Sequence, residues 1–242
     1  MLITSYNNDF VKEISKLKNR KYREKKSLFL IEGRHLVIEA YKAGILKKMI
    51  LEKDAIFPLN VETIYFTNDI INRISTMKSP SDVMGLCEIK YNKEILGNRV
   101  LILDDIQDPG NMGTIIRSAV AFNIDTIILG DCCVDIYNPK VLRSTQGMIF
   151  HMNFVKQNLL EIIPVLKEKG FMVYGTDVEF GINVKDFNAL SKFALVMGNE
   201  GNGVSMYVRE LCDKNFYIDM NNSCESLNVG VACSIILYQL DK

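Results

Sequence analysis

Five short apolar runs, "RVLILDD" from Arg99, "DTIILG" from Asp125, "FMVYGT" from Phe171, "FALVMGN" from Phe193 and "NFYIDM" from Asn215, constrain this chain more than any other feature. Each is a continuous stretch of Val, Ile, Leu and Phe rather than an alternation, the pattern of parallel strands covered on both faces. Helical segments separate them, so residues 93–242 are expected to form an open α/β domain around a parallel sheet. Ligands in such sheets lie at the carboxyl ends of strands, which directs attention to the loops that follow these runs. The first half repeats the alternation at smaller scale. A helix is expected over 9–26, with Val11, Ile14 and Leu17 on one face, then a strand in "SLFLIEG" and a helix in "RHLVIEAYKAG" stopped by Gly44. Strands in "KKMILEK" and "VETIYFT" and a helix in "NDIINRIST", capped by Asn68 or Asp69, complete a small α/β unit. The stretch "MKSPSDVMGLCEIKYNKEILGN" mixes Ser, Pro, Gly and charge and marks a boundary. The expected domains are therefore 1–92 and 93–242.

A chain of 242 residues with 48% hydrophobic content can build cores for one large or two modest domains. The N-terminus lacks an apolar signal region, and no apolar run approaches the ~20 residues of a membrane span, so a soluble, cytoplasmic protein without membrane contact is expected. Six cysteines form no C-x-x-C pair, and His35 and His151 lie far from them in sequence, so no metal is expected and buried reduced thiols are the default. Net charge is zero, but residues 1–90 carry sixteen Lys and Arg against eleven Asp and Glu, and the remainder thirteen against eighteen. Much of the excess lies in "KLKNRKYREKKS", where seven bases surround Tyr22. Such a cluster is either a solvated face or a surface for a phosphate backbone.

Three loops carry candidate chemistry. In "DIQDPGNMGTIIRSAVAF", Pro109 and Gly110 turn the chain after a strand and Asn111 is expected to cap a helix that buries Met112, Ile115, Ile116, Ala119 and Phe122. Arg117 lies off that face and leans back over Gly113, as an anion clamp beside the free N–H groups of a helix start would. The pattern is neither the dinucleotide fingerprint nor the P-loop. The second loop, "LVMGNEGNGVS", is rich in glycine where a backbone must turn sharply or approach a ligand, and Glu200 is its only ionisable group. The third, "YIDMNNSCESLNVGVACSIILYQL", leads into a helix apolar nearly all round and hence expected to be buried, with Ser226 as its cap. Asn228 in its first turn has no comparable structural explanation.

Together these loops resemble, in order, the three signature motifs of the SpoU family of RNA 2′-O-ribose methyltransferases, within the SPOUT class. Asn111, Gly113 and Arg117 fall on the first motif, Gly198, Asn199, Glu200 and Gly203 on the second, and Ser226 to Val229 on the third. The segment Asn138 to Phe150 is similar to the family's stretch between the first two motifs. Residues from Ile14 to Ala40 resemble the substrate-binding module of its ribosomal-RNA branch, itself similar to a ribosomal-protein fold. The resemblance implies a knotted SPOUT domain with a deep trefoil, a homodimer through that domain, and S-adenosylmethionine as methyl donor. It implies that Thr176, Gly198, Asn199, Ile218, Met220 and Leu227 bind the cofactor. Arg117 would act at the ribose hydroxyl and its phosphate, within a hydrogen-bond frame of Asn111, Glu200, Ser226 and Asn228. Lys18, Arg20, Lys21 and Arg23 would contact RNA, most naturally ribosomal RNA. Two positions depart from the family: Asp219 stands where proline is common, and Gly230 where serine is common. The alternatives are a transfer-RNA 2′-O-methyltransferase and a catalytically inactive RNA-binding relative; an oxidoreductase would need the glycine fingerprint that is absent.

Overall fold

The computed structural model describes residues 1–187 and 191–241. It divides into two compact units, Met1–Lys90 with Asp135–His151, and Tyr91–Val134 with Met152–Lys242. The first unit holds strands β1 (Leu2–Ile3), β2 (Leu28–Glu32), β3 (Leu46–Glu52), β4 (Thr63–Phe66) and β5 (Val83–Glu88) in the order β1-β4-β3-β5-β2. β1, β4 and β3 run parallel, and β5 is antiparallel to both β3 and β2. Its helices are α1 (Asp9–Ser15), α2 (Arg20–Lys26), α3 (Arg34–Lys42) and α4 (Asn68–Ile74). The single helix expected over 9–26 is broken in two. A tight 3-10 turn spans Lys16–Lys18, and Asn19, in an extended conformation, restarts the chain by accepting a hydrogen bond from Lys21 N. Val11, Ile14 and Leu17 are buried as their spacing predicts, packed with Ile64, Phe66 and Ile71. β5 lies in the stretch read as a boundary, yet it is an internal strand. A Cβ at its Gly85 would meet Leu46 Cδ1 at 2.7 Å, so this glycine marks a close approach of side chains rather than a turn.

The second unit is built on the parallel sheet expected, with β6 (Arg99–Leu103), β7 (Thr126–Leu129), β8 (Asn153–Lys156), β9 (Met172–Thr176), β10 (Ile182–Asn183), β11 (Phe193–Met197) and β12 (Lys214–Tyr217). The order is β10-β12-β9-β11-β6-β7-β8 and every neighbouring pair is parallel. The five apolar runs are β6, β7, β9, β11 and β12, and Val100 to Leu103 and Phe193 to Val196 are fully buried. The later helices are α5 (Pro109–Ala121), α6 (Pro139–Ser144), α7 (Leu159–Glu168), α8 (Met206–Leu211) and α9 (Val229–Leu240). Among the described residues no helix is long and apolar enough to cross a membrane. The thiols are all free; Cys87, Cys133 and Cys233 are buried, but Cys132 and Cys224 are exposed, against the expectation of uniform burial.

Residues 135–151, with α6, were expected in the second domain but pack with the first unit. Tyr137 packs against Phe29, with ring centroids 4.5 Å apart and planes tilted by 40°, and donates to Lys90 O at 2.8 Å. His151 lies 2.9 Å from the Glu39 carboxylate, which also accepts from Lys42; these hydrogen bonds hold Glu39 down to about 2. The strongest tie corrects the sequence reading. Arg23, expected at an RNA surface, is only 3% exposed; its guanidinium pairs with Asp135 and donates to Leu17 O at 2.7 Å and Lys18 O at 2.9 Å. Arginine's planar fork suits it to three partners, and a basic run read one residue at a time gives no sign that one member turns inward. Removing one partner of such a buried pair leaves an uncompensated charge. Arg23→Ser is expected to destabilise the protein by about 3–5 kcal/mol, read as a lower urea midpoint, and Arg23→Met with Asp135→Leu to recover most of that loss.

Candidate active site

Three strand-to-helix loops converge at the carboxyl edge of the second sheet. After β6, the side chain of Asp108 accepts from Asn111 N at 2.8 Å and Pro109 opens α5, so the cap is Asp108 and not Asn111 as expected. Its position in the first turn frees the Asn111 amide to bridge two other loops. Nδ2 donates to Glu200 Oε1 at 3.0 Å, and Oδ1 accepts from Asn228 Nδ2 at 2.7 Å. Glu200 also accepts from Asp108 N at 3.0 Å and Gln107 N at 3.3 Å. Partial burial pushes the Glu200 carboxyl up, but the donors from Asn111, Asp108 and the backbone outweigh it and leave the group below the usual glutamate range. α9 begins at Val229, so its cap must be Asn228, whose Oδ1 accepts from Gly230 N and Val231 N at 3.0 and 3.3 Å. Ser226, expected in that role, is exposed in the preceding loop. Asn228 therefore caps with its oxygen and reaches Asn111 with its nitrogen. Gly230 suits the crossing of α9 over α5: a Cβ there would lie 3.1 Å from Thr114 Cβ, while nearby Ser118 and Ser234 hydroxyls meet at 2.6 Å.

The second loop folds back on itself. Asn199 and Gly203 exchange backbone hydrogen bonds of 2.9 Å, and Asn199 Oδ1 accepts from Gly201 N and Asn202 N. A Cβ on Gly198 would lie 2.1 Å from Gly203 C, so glycine is demanded by the chain's own backbone rather than by approach of a ligand. Behind this turn lies a cleft of about 280 Å³. Thr176, Gly198, Asn199, Ile218, Met220 and Leu227 all line it, as do Glu200 and Ser226. Met197, Phe216, Val229, Ala232 and Ile236 supply apolar walls. Arg117, Asn111 and Asn228 stand outside the lining, and Arg117 is exposed on α5 with no hydrogen-bond or ion-pair partner among the described residues. Asp219, in place of the common proline, points its charge to Lys185 at 2.9 Å and puts none in the cleft.

Sequence reasoning missed a pair in the cleft wall. Arg209 Nη1 meets Asp177 Oδ2 at 3.0 Å, and Asp177 Oδ1 accepts from Val178 N, at 2.7 Å, and from the next two N–H groups. The available signal was an Asp immediately after a strand run, "YGTD". In the first unit, the basic surface is narrower than the sequence suggests. Lys18 Nζ donates to Arg73 O and Ser75 O at 3.0 Å, Arg20 pairs with Glu24 at 2.9 Å, Lys21 is exposed, and Arg23 is buried.

The model of the SpoU rRNA methylase family matches residues 98–238, and that of the MRM3-like substrate-binding domain matches residues 8–85. The chain is 38% identical to the "23S rRNA (guanosine(2553)-2'-O)-methyltransferase RlmP" of Bacillus subtilis, over 98% of both chains. It is similar in structure to an AdoMet-bound rRNA methyltransferase from Sinorhizobium meliloti, with a TM-score of 0.88 and 26% identity over 99% of this chain and 97% of the other. The SpoU methyltransferase AviRb of Streptomyces viridochromogenes, in complex with AdoMet, gives a TM-score of 0.87 and 25% identity over 97% of each chain.

Because Glu200 titrates below its unfolded value of about 4.3, its anchoring of Gln107 and Asp108 is complete above that value and is lost as pH falls through the depressed folded value. The protection factors of those two amides, with the intrinsic pH dependence of exchange divided out, are expected to fall over that interval in the native protein and to lose most of that pH dependence in Glu200→Gln. Gly198→Ala is expected to displace the turn and cost about 1–3 kcal/mol or more, measured as a lower melting midpoint.

Proposed function

The chain belongs to the SpoU rRNA methylase family, and from that premise we propose that it transfers the methyl group of S-adenosylmethionine to a ribose 2′-hydroxyl in ribosomal RNA. The observation that carries this reading is a cleft lined by the second and third motif loops, at Gly198, Asn199, Ile218, Met220 and Leu227 with Thr176 beside them, to which the first motif loop is tied by the Asn111 hydrogen bonds to Glu200 and Asn228. The donor set fits the cofactor: apolar walls at Phe216 and Ile236 suit a purine, and the Glu200 carboxylate at the rim suits a cationic sulfonium. The cofactor supplies an electrophilic methyl carbon. Main-chain groups at Gly198, Ile218, Met220 and Leu227 hold it, with Thr176 and Asn199 beside them. The geometry needed is in-line approach of the hydroxyl oxygen to within about 3–3.5 Å, so much of the rate comes from positioning. The Arg117 guanidinium, a donor with no acceptor site, binds the phosphate beside the target ribose and stabilises the developing alkoxide, while the hydroxyl proton passes to solvent and S-adenosylhomocysteine is the leaving group. Asn111, Glu200 and Asn228 hold the start of α5, and with it Arg117, in register with the cleft, and Ser226 completes the rim.

In this reading residues 1–92 form the RNA-binding module, with a ribosomal-protein-like fold, and residues 93–242, apart from the segment 135–151 that packs with the first unit, form the S-adenosylmethionine-binding domain, its C-terminal segment threaded in the family's trefoil knot. Lys18, Arg20 and Lys21 remain on the RNA-facing surface; Arg23 supports it from within. The protein works in the cytoplasm, as a homodimer. Support for the dimer comes from α9, expected to be wholly buried, which exposes Val231, Ile235 and Tyr238 at 45%, 39% and 57%. Their spacing of four and three puts them in one stripe, an apolar face that a second copy would cover.

Arg117→Ala is expected to keep the melting midpoint and the affinity for S-adenosylhomocysteine, read by calorimetry, while methylation falls roughly a hundred- to thousand-fold. Mapping of 2′-O-methyl sites in ribosomal RNA with and without the protein tests the function itself; no change at any site overturns it. Val231→Asp with Ile235→Asp is expected to give a monomer by sedimentation.

A further inference from the structure

Within the first unit, the 3-10 turn and α2 shape a shallow groove whose charge has no local counterpart. Lys16, Lys18, Lys21 and Lys25 line it together with Asn19 and Tyr22, and no carboxylate does. Several other basic side chains of the unit are matched, among them Lys26 to Glu13 at 2.5 Å, Lys47 to Glu88 at 2.7 Å, Lys48 to Glu62 at 2.6 Å and Arg34 to Asp82 at 2.5 Å. Lys18 is tied to the carbonyls of Arg73, in the last turn of α4, and Ser75, just beyond it. Lys16, Lys21 and Lys25 have neither an ion-pair nor a hydrogen-bond partner among the described side chains, and clustered like charges repel unless a polyanion neutralises them. Between them stands the half-buried Tyr22, packed on the core by one side, with Lys16 Nζ 5.7 Å and Lys26 Nζ 5.9 Å from its ring centroid.

We propose that this groove binds an unpaired nucleotide of the RNA substrate, the base stacking on Tyr22 and the flanking phosphates held by Lys16, Lys21 and Lys25. The inference rests on the ribosomal-RNA reading above and adds the element of RNA that is recognised. A duplex presents phosphates and shallow edges to a protein surface, whereas an aromatic ring set among phosphate-binding cations is what a splayed base requires. The two cations beside the ring differ. Lys26 is anchored by Glu13, while Lys16 has no anchor and can leave the ring for a phosphate as the base arrives.

The full-length protein, titrated at several salt concentrations with transcribed large-subunit ribosomal RNA and with a fully paired RNA duplex, separates stacking from charge. Tyr22→Leu, which keeps the packing but removes the π face, is expected to weaken binding to the ribosomal RNA roughly 5- to 150-fold, with an unchanged salt slope and unchanged affinity for the duplex. Tyr22→Phe is expected to bind as the native protein does. Replacing Lys16, Lys21 and Lys25 by Ser is expected to lower the log–log salt slope by about 2, at roughly 0.7 per lost contact. Ultraviolet crosslinking of the native complex is expected to join a nucleotide to the peptide containing Tyr22, a readout independent of any variant's stability. Native affinity in Tyr22→Leu, an equal loss on the duplex, or crosslinks only elsewhere overturns the proposal. If the native protein methylates the RNA while Tyr22→Leu binds it normally, the subsite alone is refuted; absence of methylation by the native protein refutes the function beneath it.

Discussion

One carboxylate, that of Glu200, binds together loops that are 89 or more residues apart in the chain. It accepts from two backbone N–H groups ahead of α5 and from the Asn111 amide, which in turn accepts from the cap of α9. Each of these groups would otherwise be a helix-end or loop donor without an intrahelical partner. Charge-assisted hydrogen bonds of this kind are about twice as strong as neutral ones, and they set the height and rotation at which α5 leaves the sheet. Arg117, two turns along that helix, inherits its position from them. The arrangement explains why a single glutamate sits in a loop otherwise made of glycine and asparagine: a second carboxylate would compete for the same donors.

The glycines of that loop serve the chain itself. With Gly203 carbonyl carbon where a Gly198 side chain would begin, the strand end and the returning loop share one backbone thickness. This closeness opens the cleft behind the turn. Gly230 acts similarly between helices, allowing α9 to lie against Thr114 of α5. The two departures from the family pattern thus fall differently: Gly230 takes part in helix packing, and Asp219 faces away from the cleft toward Lys185.

In the first unit a buried ion pair does comparable work. Arg23 and Asp135 lie 112 residues apart, and the guanidinium also gathers the carbonyls of the 3-10 turn that precedes α2. That turn in turn orients Lys16, Lys21 and Lys25 outward around Tyr22. One member of the basic run is spent internally so that the others are presented in a fixed geometry.

Much of this protein is determined locally. Continuous apolar runs specify buried parallel strands because both faces of each strand need covering, and β6, β7, β9, β11 and β12 were legible on that ground. The loops that meet at the carboxyl edge of the second sheet were legible as strand-end turns too, since Pro, Gly and Asn at strand ends have few other uses. What local pattern does not contain is the partner of a polar side chain. Asn111 and Asp108 are equally plausible caps by type, and only the position of Glu200 assigns one to capping and the other to bridging. Ser226 and Asn228 were confused for the same reason, because a cap is defined by where the helix begins, which packing of α9 on α5 decides. Arg23 looks like its neighbours until Asp135 arrives from elsewhere in the chain, and β5 looks like a linker until β2 and β3 enclose it. Periodicity records what a segment must hide; which distant group satisfies a hydrogen bond or a charge is settled only when the chain brings the two together.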